Sequence, residues 1–437
     1  MTDSTGTMPQ MMPEQHDDAP LTDHRMALAR EWDDLVEQVR ALEGFEDFLR
    51  PPPLENLLPA ATNGPVVIVN VSQRRCDALI LSADEMTTRE LPDLTAADAA
   101  AWTNRYLNTL RDVERAAERP ALAGPDDPMA LTQARQHLAK TRRAAEVMLR
   151  ELLAWLWRAI TEPVLVQLGI LGPPTGGAAW PRLWWCPTGP LTLLPLHAAG
   201  HHDTDDGQHR TVIDRVVSSY TPTVRALVEA RKPHAEELAR ADSLLVVSQG
   251  DAPGQPRLPG VDREVAMIES LIPAARRTVL AGAAATLAAV QEELTQHRWV
   301  HFSCHGTQDL ADPSEGGLLL RDGILTIADI TSRQYFAEFA CLSACKTATG
   351  GVSLLDEAIT LAAALHYAGY RHVIGTLWSV YDSAATDLFQ TVYTAMAVDG
   401  RLHPQRSAIA LHQATRALRD TNRTRPSAWI PFTHTGP

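Results

Sequence analysis

No stretch of about 18 apolar residues, the length a membrane-spanning helix needs, runs through the sequence. The nearest approach, Leu152 to Leu171, is interrupted by Arg158, Glu162 and Pro163, so direct membrane insertion is not expected. Basic residues are in deficit: 39 Lys and Arg stand against 53 Asp and Glu, a net charge of −14. Such a chain lacks the cationic footprint that neutralises phosphates or adsorbs to anionic membranes, which argues against general nucleic-acid binding. Cysteines are few and odd in number, five in 437 residues. Scattered as Cys76, Cys186, Cys304, Cys341 and Cys345, they fit a reducing cytoplasm better than a disulfide framework. The acidic, Pro- and Met-rich N-terminus carries no signal-peptide pattern. No period of roughly 20 to 50 residues repeats, which argues against a solenoid. Three catalytic grammars are also missing. Gly351-Val-Ser353-Leu-Leu lacks the last glycine of a nucleophile elbow, no phosphate-cradling loop surrounds Lys346-Thr347, and no H-E-x-x-H occurs.

What remains is ordinary globular material, 45% apolar and 21% charged, long enough for two or three domains or for one large α/β unit built from two halves. Residues 1–24 show no apolar periodicity and read as a mobile tail. Residues 25–63 read as a helical segment, with Leu28, Trp32, Leu35, Val36, Val39 and Leu42 at helical spacing. The β-rich runs 66–71 and 76–81 predict paired strands, and two long helices follow over about 96–118 and 128–168. A strand at 183–186 precedes the polar segment 197–209, where His197, His201, His202 and His209 mix with Asp203, Asp205 and Asp206. With no regular element to fix ligand geometry there, that segment reads as a solvated loop rather than a metal site. A boundary is placed between Lys232 and Ala241. Beyond it strands at 244–248, 278–281, 299–304, 340–343 and 373–378 alternate with helices, the pattern of βαβ units and a mostly parallel sheet. Asp322-Gly323 between two apolar runs predicts a hairpin.

Chemistry-bearing residues crowd two strand ends. One is His301-Phe-Ser-Cys304-His305-Gly306 and the other is Cys341-Leu-Ser-Ala-Cys345-Lys346-Thr347. Carboxyl ends of parallel strands form the crevice where ligands bind, so His305 and Cys345 can face each other although 345 − 305 = 40 residues separate them. A zinc site of His301, His305, Cys341 and Cys345 has suitable donors but fails on distance. Residues i and i+4 of a strand lie about 13 Å apart, whereas ligands on one zinc sit within about 4 Å of one another. Cys304 and Cys341 read as small buried hydrophobes. A nucleophilic Cys345 needs a proton donor for the leaving amine, which His305 can supply, and N–H groups aimed at the developing oxyanion. Those of Gly306, which lacks a side chain, and of Cys345 itself are the candidates.

At this point the sequence resembles a known family. His305-Gly306 after one apolar strand and Ala344-Cys345 after another resemble the caspase-like (clan CD) cysteine peptidases, and the surroundings resemble the CHAT domain. The matching pieces are Pro187-Thr-Gly-Pro-Leu-Thr-Leu-Leu-Pro195, Leu258-Pro-Gly-Val-Asp-Arg-Glu264, Gly282-Ala-Ala-Ala-Thr286, His301-Phe-Ser-Cys-His-Gly306, Leu342-Ser-Ala-Cys345, Gly375-Thr-Leu-Trp-Ser-Val-Tyr-Asp382 and Trp429-Ile-Pro-Phe432. The resemblance implies a mostly parallel caspase-like sheet flanked by helices. A catalytically silent α/β half, residues 64–235, would precede a catalytic half, residues 240–437, that holds a His305/Cys345 dyad. It further implies a cysteine endopeptidase without cofactor or metal, switched on by a sensor in bacterial defence or programmed death, cleaving a partner protein such as a gasdermin.

Family members often carry a sensor before the CHAT domain. Only about 60 residues precede it here, so the sensor is expected on a separate chain. Ser303 stands where alanine is more usual, a change expected to be silent. In related peptidases the region of Trp378 and Asp382 helps line the pocket for the side chain before the cut bond. An acidic floor at Asp382 would favour Arg or Lys. Against this, Asp382 immediately precedes a helix and is a natural N-cap, and Trp378 is equally suited to a core position. The competing function is a scaffold that keeps the fold and the dyad residues without catalysis.

Overall fold

The computed structural model describes residues 19–42, 45, 48–122, 127–202, 209–232, 241–252, 255, 257–258, 260–307, 312–343, 360–378 and 383–437. The chain divides into two compact units, Met1–Asn56 and Leu57–Pro437. In the first, helix α1 (Ala19–Arg40) begins earlier than the periodicity predicts, so residues 19–24 are helical and not tail. Arg40 at its end reaches Glu37 and the Phe48 carbonyl.

The second unit opens with strands β1 (Val66–Asn70), β2 (Asp77–Leu81) and β3 (Met86–Glu90), joined antiparallel. Helices α2 (Ala96–Leu122) and α3 (Pro128–Leu156) follow and pack along each other. The helix expected to run to 168 continues to Gln167 with a local change of winding. A π-helical turn at Trp157–Thr161 separates α3 from the short α4 (Glu162–Gln167), placing Pro163 in the first turn, where its missing N–H costs no hydrogen bond. Strands β4 (Arg182–Pro187) and β5 (Val217–Tyr220) run parallel beside β1, and helix α5 (Val224–Arg231) ends this half.

The remaining strands and helices alternate as the sequence predicts: β6 (Ala241–Gln249), α6 (Val261–Leu271), β7 (Arg277–Ala281), α7 (Leu287–Glu293) and β8 (His297–Cys304). A small antiparallel sheet of β9 (Gly306–Thr307), β10 (Gly317–Leu319) and β11 (Ile324–Thr326) follows, with Asp322-Gly323 at the predicted hairpin. Then come α8 (Ile327–Thr331), β12 (Ala337–Leu342), α9 (Leu361–Tyr367), β13 (Tyr370–Thr376), α10 (Ser383–Met396), the two-residue strands β14 (Ala397–Val398) and β15 (Arg401–Leu402), α11 (Ser407–Thr421) and β16 (Phe432–Thr435).

Among the described residues, eleven strands form one sheet in the order β3-β2-β1-β4-β5-β16-β13-β12-β8-β6-β7. It is a mixed α/β fold with a large, mostly parallel sheet flanked by helices, as expected. Residues 233–240, where the boundary was placed, lie outside the described residues, and the sheet runs through both halves. The join is β16, parallel to β5 on one side and antiparallel to β13 on the other. Gly436 just beyond it adopts φ +116° and packs so tightly that a Cβ would lie 1.9 Å from the Arg371 carbonyl oxygen. Only glycine fits there. The strands of the second half are apolar on both faces because helices cover both. Leu245, Val300, Phe302 and Leu342 pack toward α7 and α9, and Val246, Trp299, Phe339 and Cys341 pack toward α6, α10 and α11.

Candidate active site

Strand order sets the site. From β6 the chain steps outward to β7 and then returns to the other side of β6 for β8, so the carboxyl ends of β6 and β8 flank a topological switch point, where crevices form in open α/β sheets. His305 and Gly306 lie directly after β8. His305 is buried, and its carbonyl accepts the N–H of Leu319 at 2.8 Å. Gly306 pairs with Leu318, so the small β9–β10–β11 sheet holds this segment from one side. Gly317 makes that possible, because a Cβ on it would lie 2.2 Å from the Leu325 carbonyl oxygen.

Strand β12 lies parallel beside β8, with Cys341 opposite His301 and Leu342 opposite Phe302, and the Ser343 N–H donates to the Phe302 carbonyl at 2.9 Å. Cys345 and Asp382 lie outside the described residues. Trp378 is buried in the apolar core and meets Tyr106 edge-on at 5.9 Å. A cavity of about 810 Å³ opens nearby, lined by Thr188, Tyr220, Asp312, Thr360, Thr433 and Leu377 among others. Asp312 follows the His305 segment and Thr360 precedes α9.

Beneath the two strand ends sits a polar cluster that sequence reasoning missed. Glu264, in the first turn of α6 and buried, receives the Ser303 hydroxyl on Oε2 at 2.5 Å and the Ser343 hydroxyl on Oε1 at 2.5 Å. His301 Nε2 lies 3.4 Å from the same Oε2, and its Nδ1 is 2.9 Å from the Tyr393 hydroxyl on α10. Burial alone would push the Glu264 carboxyl up. The hydrogen bonds from His301, Ser303 and Ser343 and the attraction of His301 outweigh it and hold the group below its ordinary value. Burial raises the Tyr393 phenol well above its ordinary value, so it stays a neutral hydroxyl. Ser303 therefore makes a buried hydrogen bond that alanine could not make. Its hydroxyl occupies one oxygen of a buried carboxylate, and alanine would leave that oxygen with only the longer His301 contact. As an acidic residue in a first helical turn, Glu264 is also favoured by the helix dipole.

The polar segment at 197–209 also needs correction in part. His197 and His202 are buried, not solvated. His197 bonds the Ile430 carbonyl at 2.9 Å and the Tyr220 hydroxyl at 2.8 Å, and His202 bonds the Ala198 carbonyl at 2.8 Å. Residues 203–208 lie outside the described residues. Among the described residues no three His, Cys, Asp or Glu side chains are grouped so as to hold a metal ion, and no helix is long and apolar enough to cross a membrane.

A β-sheet of this order, with a histidine at one central strand end and a cysteine shortly after its neighbour, defines a caspase-like architecture. The model of the CHAT domain matches residues 150–437, and the chain belongs to that family. Two crystal structures of the Saccharomyces cerevisiae separase–securin complex are similar in fold. The structure at 2.6 Å gives a TM-score of 0.60 at 10% identity, covering 87% of this chain and 30% of that chain. The structure at 3.0 Å gives 0.56 at 10% identity, covering 88% and 30%. At that identity the likeness concerns the fold, and this chain spans under a third of the length of those it matches. None of the curated protein sequences compared with it matches the chain.

Proposed function

We propose that the protein is a cysteine endopeptidase that cleaves a partner protein through a Cys345/His305 dyad. The observation that carries this reading is the parallel register of β8 and β12. Cys341 lies opposite His301, an offset of 341 − 301 = 40, and Cys345 and His305 are offset by the same 40 residues. Cys345 is two residues beyond Ser343, a reach of at most about 7 Å, and Ser343 is itself bonded to β8. The thiolate of Cys345 attacks the scissile carbonyl, His305 protonates the leaving amine, and the N–H groups of Gly306 and Cys345 receive the developing oxyanion. Residues 240–437 supply this chemistry, and residues 64–235 form a silent half that completes the sheet. The cavity lined by Asp312 and Thr360 gives room for part of a bound polypeptide.

Activation by a sensor, with action in defence or programmed death, is carried over from the family resemblance, as is a gasdermin-like substrate. The likeness to a chain of a separase–securin complex favours a protein partner. The test is cleavage of proteins encoded beside this chain, with the parent, Cys345→Ala and His305→Ala compared. Each variant is expected to abolish cleavage while keeping the fold, and the double variant is expected to be no worse than either, since the pair acts as a unit. Retained cleavage by Cys345→Ala contradicts the reading.

A further inference from the structure

We propose that Glu264 is a positioning residue whose carboxylate clasps the ends of β8 and β12 together by one hydroxyl from each, Ser303 and Ser343, and so fixes the distance between His305 and Cys345. The inference rests on the dyad reading for its catalytic consequence but on the geometry alone for the clasp.

The two serines stand in equivalent places. Each is two residues before a proposed dyad member, 305 − 303 = 2 and 345 − 343 = 2. Each donates to a different oxygen of one carboxylate, at 2.5 Å in both cases. Among the described residues, the last ladder hydrogen bond between β8 and β12 is the one from the Ser343 N–H to the Phe302 carbonyl. The carboxylate adds a third point of support there, carried by α6, an element from outside the pair. Ser303, Ser343 and Glu264 are all buried, so water does not compete for the two hydroxyls, and bonds to a charged acceptor are the stronger kind. Behind the carboxylate, His301 and Tyr393 extend the chain of contacts to α10 and leave Glu264 little freedom to turn.

Geometry of this sort acts on rate more than on binding. A nucleophile displaced by about 1 Å from its acid and from the oxyanion donors can lose roughly 10²-fold in turnover with little change in the substrate's contacts. Glu264→Gln keeps the shape but replaces one acceptor oxygen with an amide that donates, so it can accept from one serine only.

The experiment combines two readouts on the full chain. Hydrogen exchange followed by mass spectrometry is measured for the parent, Glu264→Gln, Ser303→Ala and Ser343→Ala, comparing peptides over 299–307 and 337–343 with a control over β7. Turnover of the parent's peptide substrate and labelling of Cys345 by a peptidyl chloromethyl ketone are measured on the same samples. Faster exchange at both strand ends, unchanged exchange at β7, and kcat lower by roughly 10²-fold in Glu264→Gln with KM nearly constant are expected. The two serine variants, which remain informative if Glu264→Gln folds poorly, are expected to loosen both strand ends, each including the strand it does not belong to. Unchanged exchange on the partner strand overturns the clasp. Looser strand ends with unchanged kcat overturn the positioning role. If the strand ends loosen but the parent never labels at Cys345, the clasp stands and the peptidase reading fails.

Discussion

Cys341 faces His301 across two parallel strands, and the backbone of Ser343 is bonded to that of Phe302 one step further on. Parallel pairing keeps a constant offset, so two segments far apart in sequence arrive at the same edge of the sheet together. The dyad proposed here depends on that offset.

The small β9–β10–β11 sheet supports the His305 side of the site, and Gly317 is its tightest point. Gly317→Ala would force a Cβ to within 2.2 Å of the Leu325 carbonyl oxygen, a backbone atom of the paired strand, and 2.8 Å of Ile324 Cγ2. A loss of about 1 to 3 kcal/mol is expected, as for other overpacked sites. Activity should fall further than the fraction folded, because the Leu319 N–H that holds the His305 carbonyl belongs to the displaced strand. Thermal unfolding and turnover on one preparation check this, and a fall in activity no greater than the fall in folded protein contradicts it.

Five buried histidines set the acid stability. Burial lowers His197 and His366 to about 4, His372 and His412 to about 3, and His434 well below its ordinary value, the last pressed further by His372 and Arg182. Their unfolded counterparts titrate near 6.5, so below that pH the unfolded chain binds protons that the folded chain refuses. Stability is therefore present in full above about pH 6.5 and falls as pH drops toward 4, by up to roughly 1.4 kcal/mol per histidine for each pH unit. Acid unfolding is expected to be well advanced by about pH 4.5. A melting temperature that stays level from pH 7 to pH 5 would show that these rings find acceptors on protonation.

Much of this architecture is legible in the sequence, for identifiable reasons. The β1 segment opens with the unbroken apolar run Val66-Val-Ile-Val69, and Asp322-Gly323 announces its hairpin through turn chemistry. Strand β3 escapes notice because Met86-Thr-Thr-Arg-Glu90 is an exposed edge with no apolar alternation. Strands β5 and β16 escape because four residues carry too little periodicity to outweigh a loop. The site divides in the same way: His305 and Cys345 stand out by residue type and position, whereas Glu264 gains meaning only when two serines from different strands meet it.

Two roles are open to Asp382, a pocket floor or a helix N-cap. As an acidic pocket floor it would favour Arg or Lys before the cut bond, and Asp382→Asn is then expected to weaken cleavage after Arg or Lys far more than after Leu. As a helix N-cap it is replaceable by Asn, which caps equally well, and the variant would match the parent on every substrate. Two peptide series differing only at that position decide between the roles, and equal rates remove Asp382 from the pocket.

The most direct measurement of the central claim is site-mapped labelling by a peptidyl chloromethyl ketone. The four described cysteines, Cys76, Cys186, Cys304 and Cys341, are all buried and so shielded from a bulky peptidyl reagent, and burial raises the Cys186 thiol to about 12. Cys345 is expected to carry the label, at a rate that falls sharply in His305→Ala and is unaffected by a zinc chelator. Labelling spread evenly over the cysteines, or labelling of Cys345 that is indifferent to His305, would contradict the dyad.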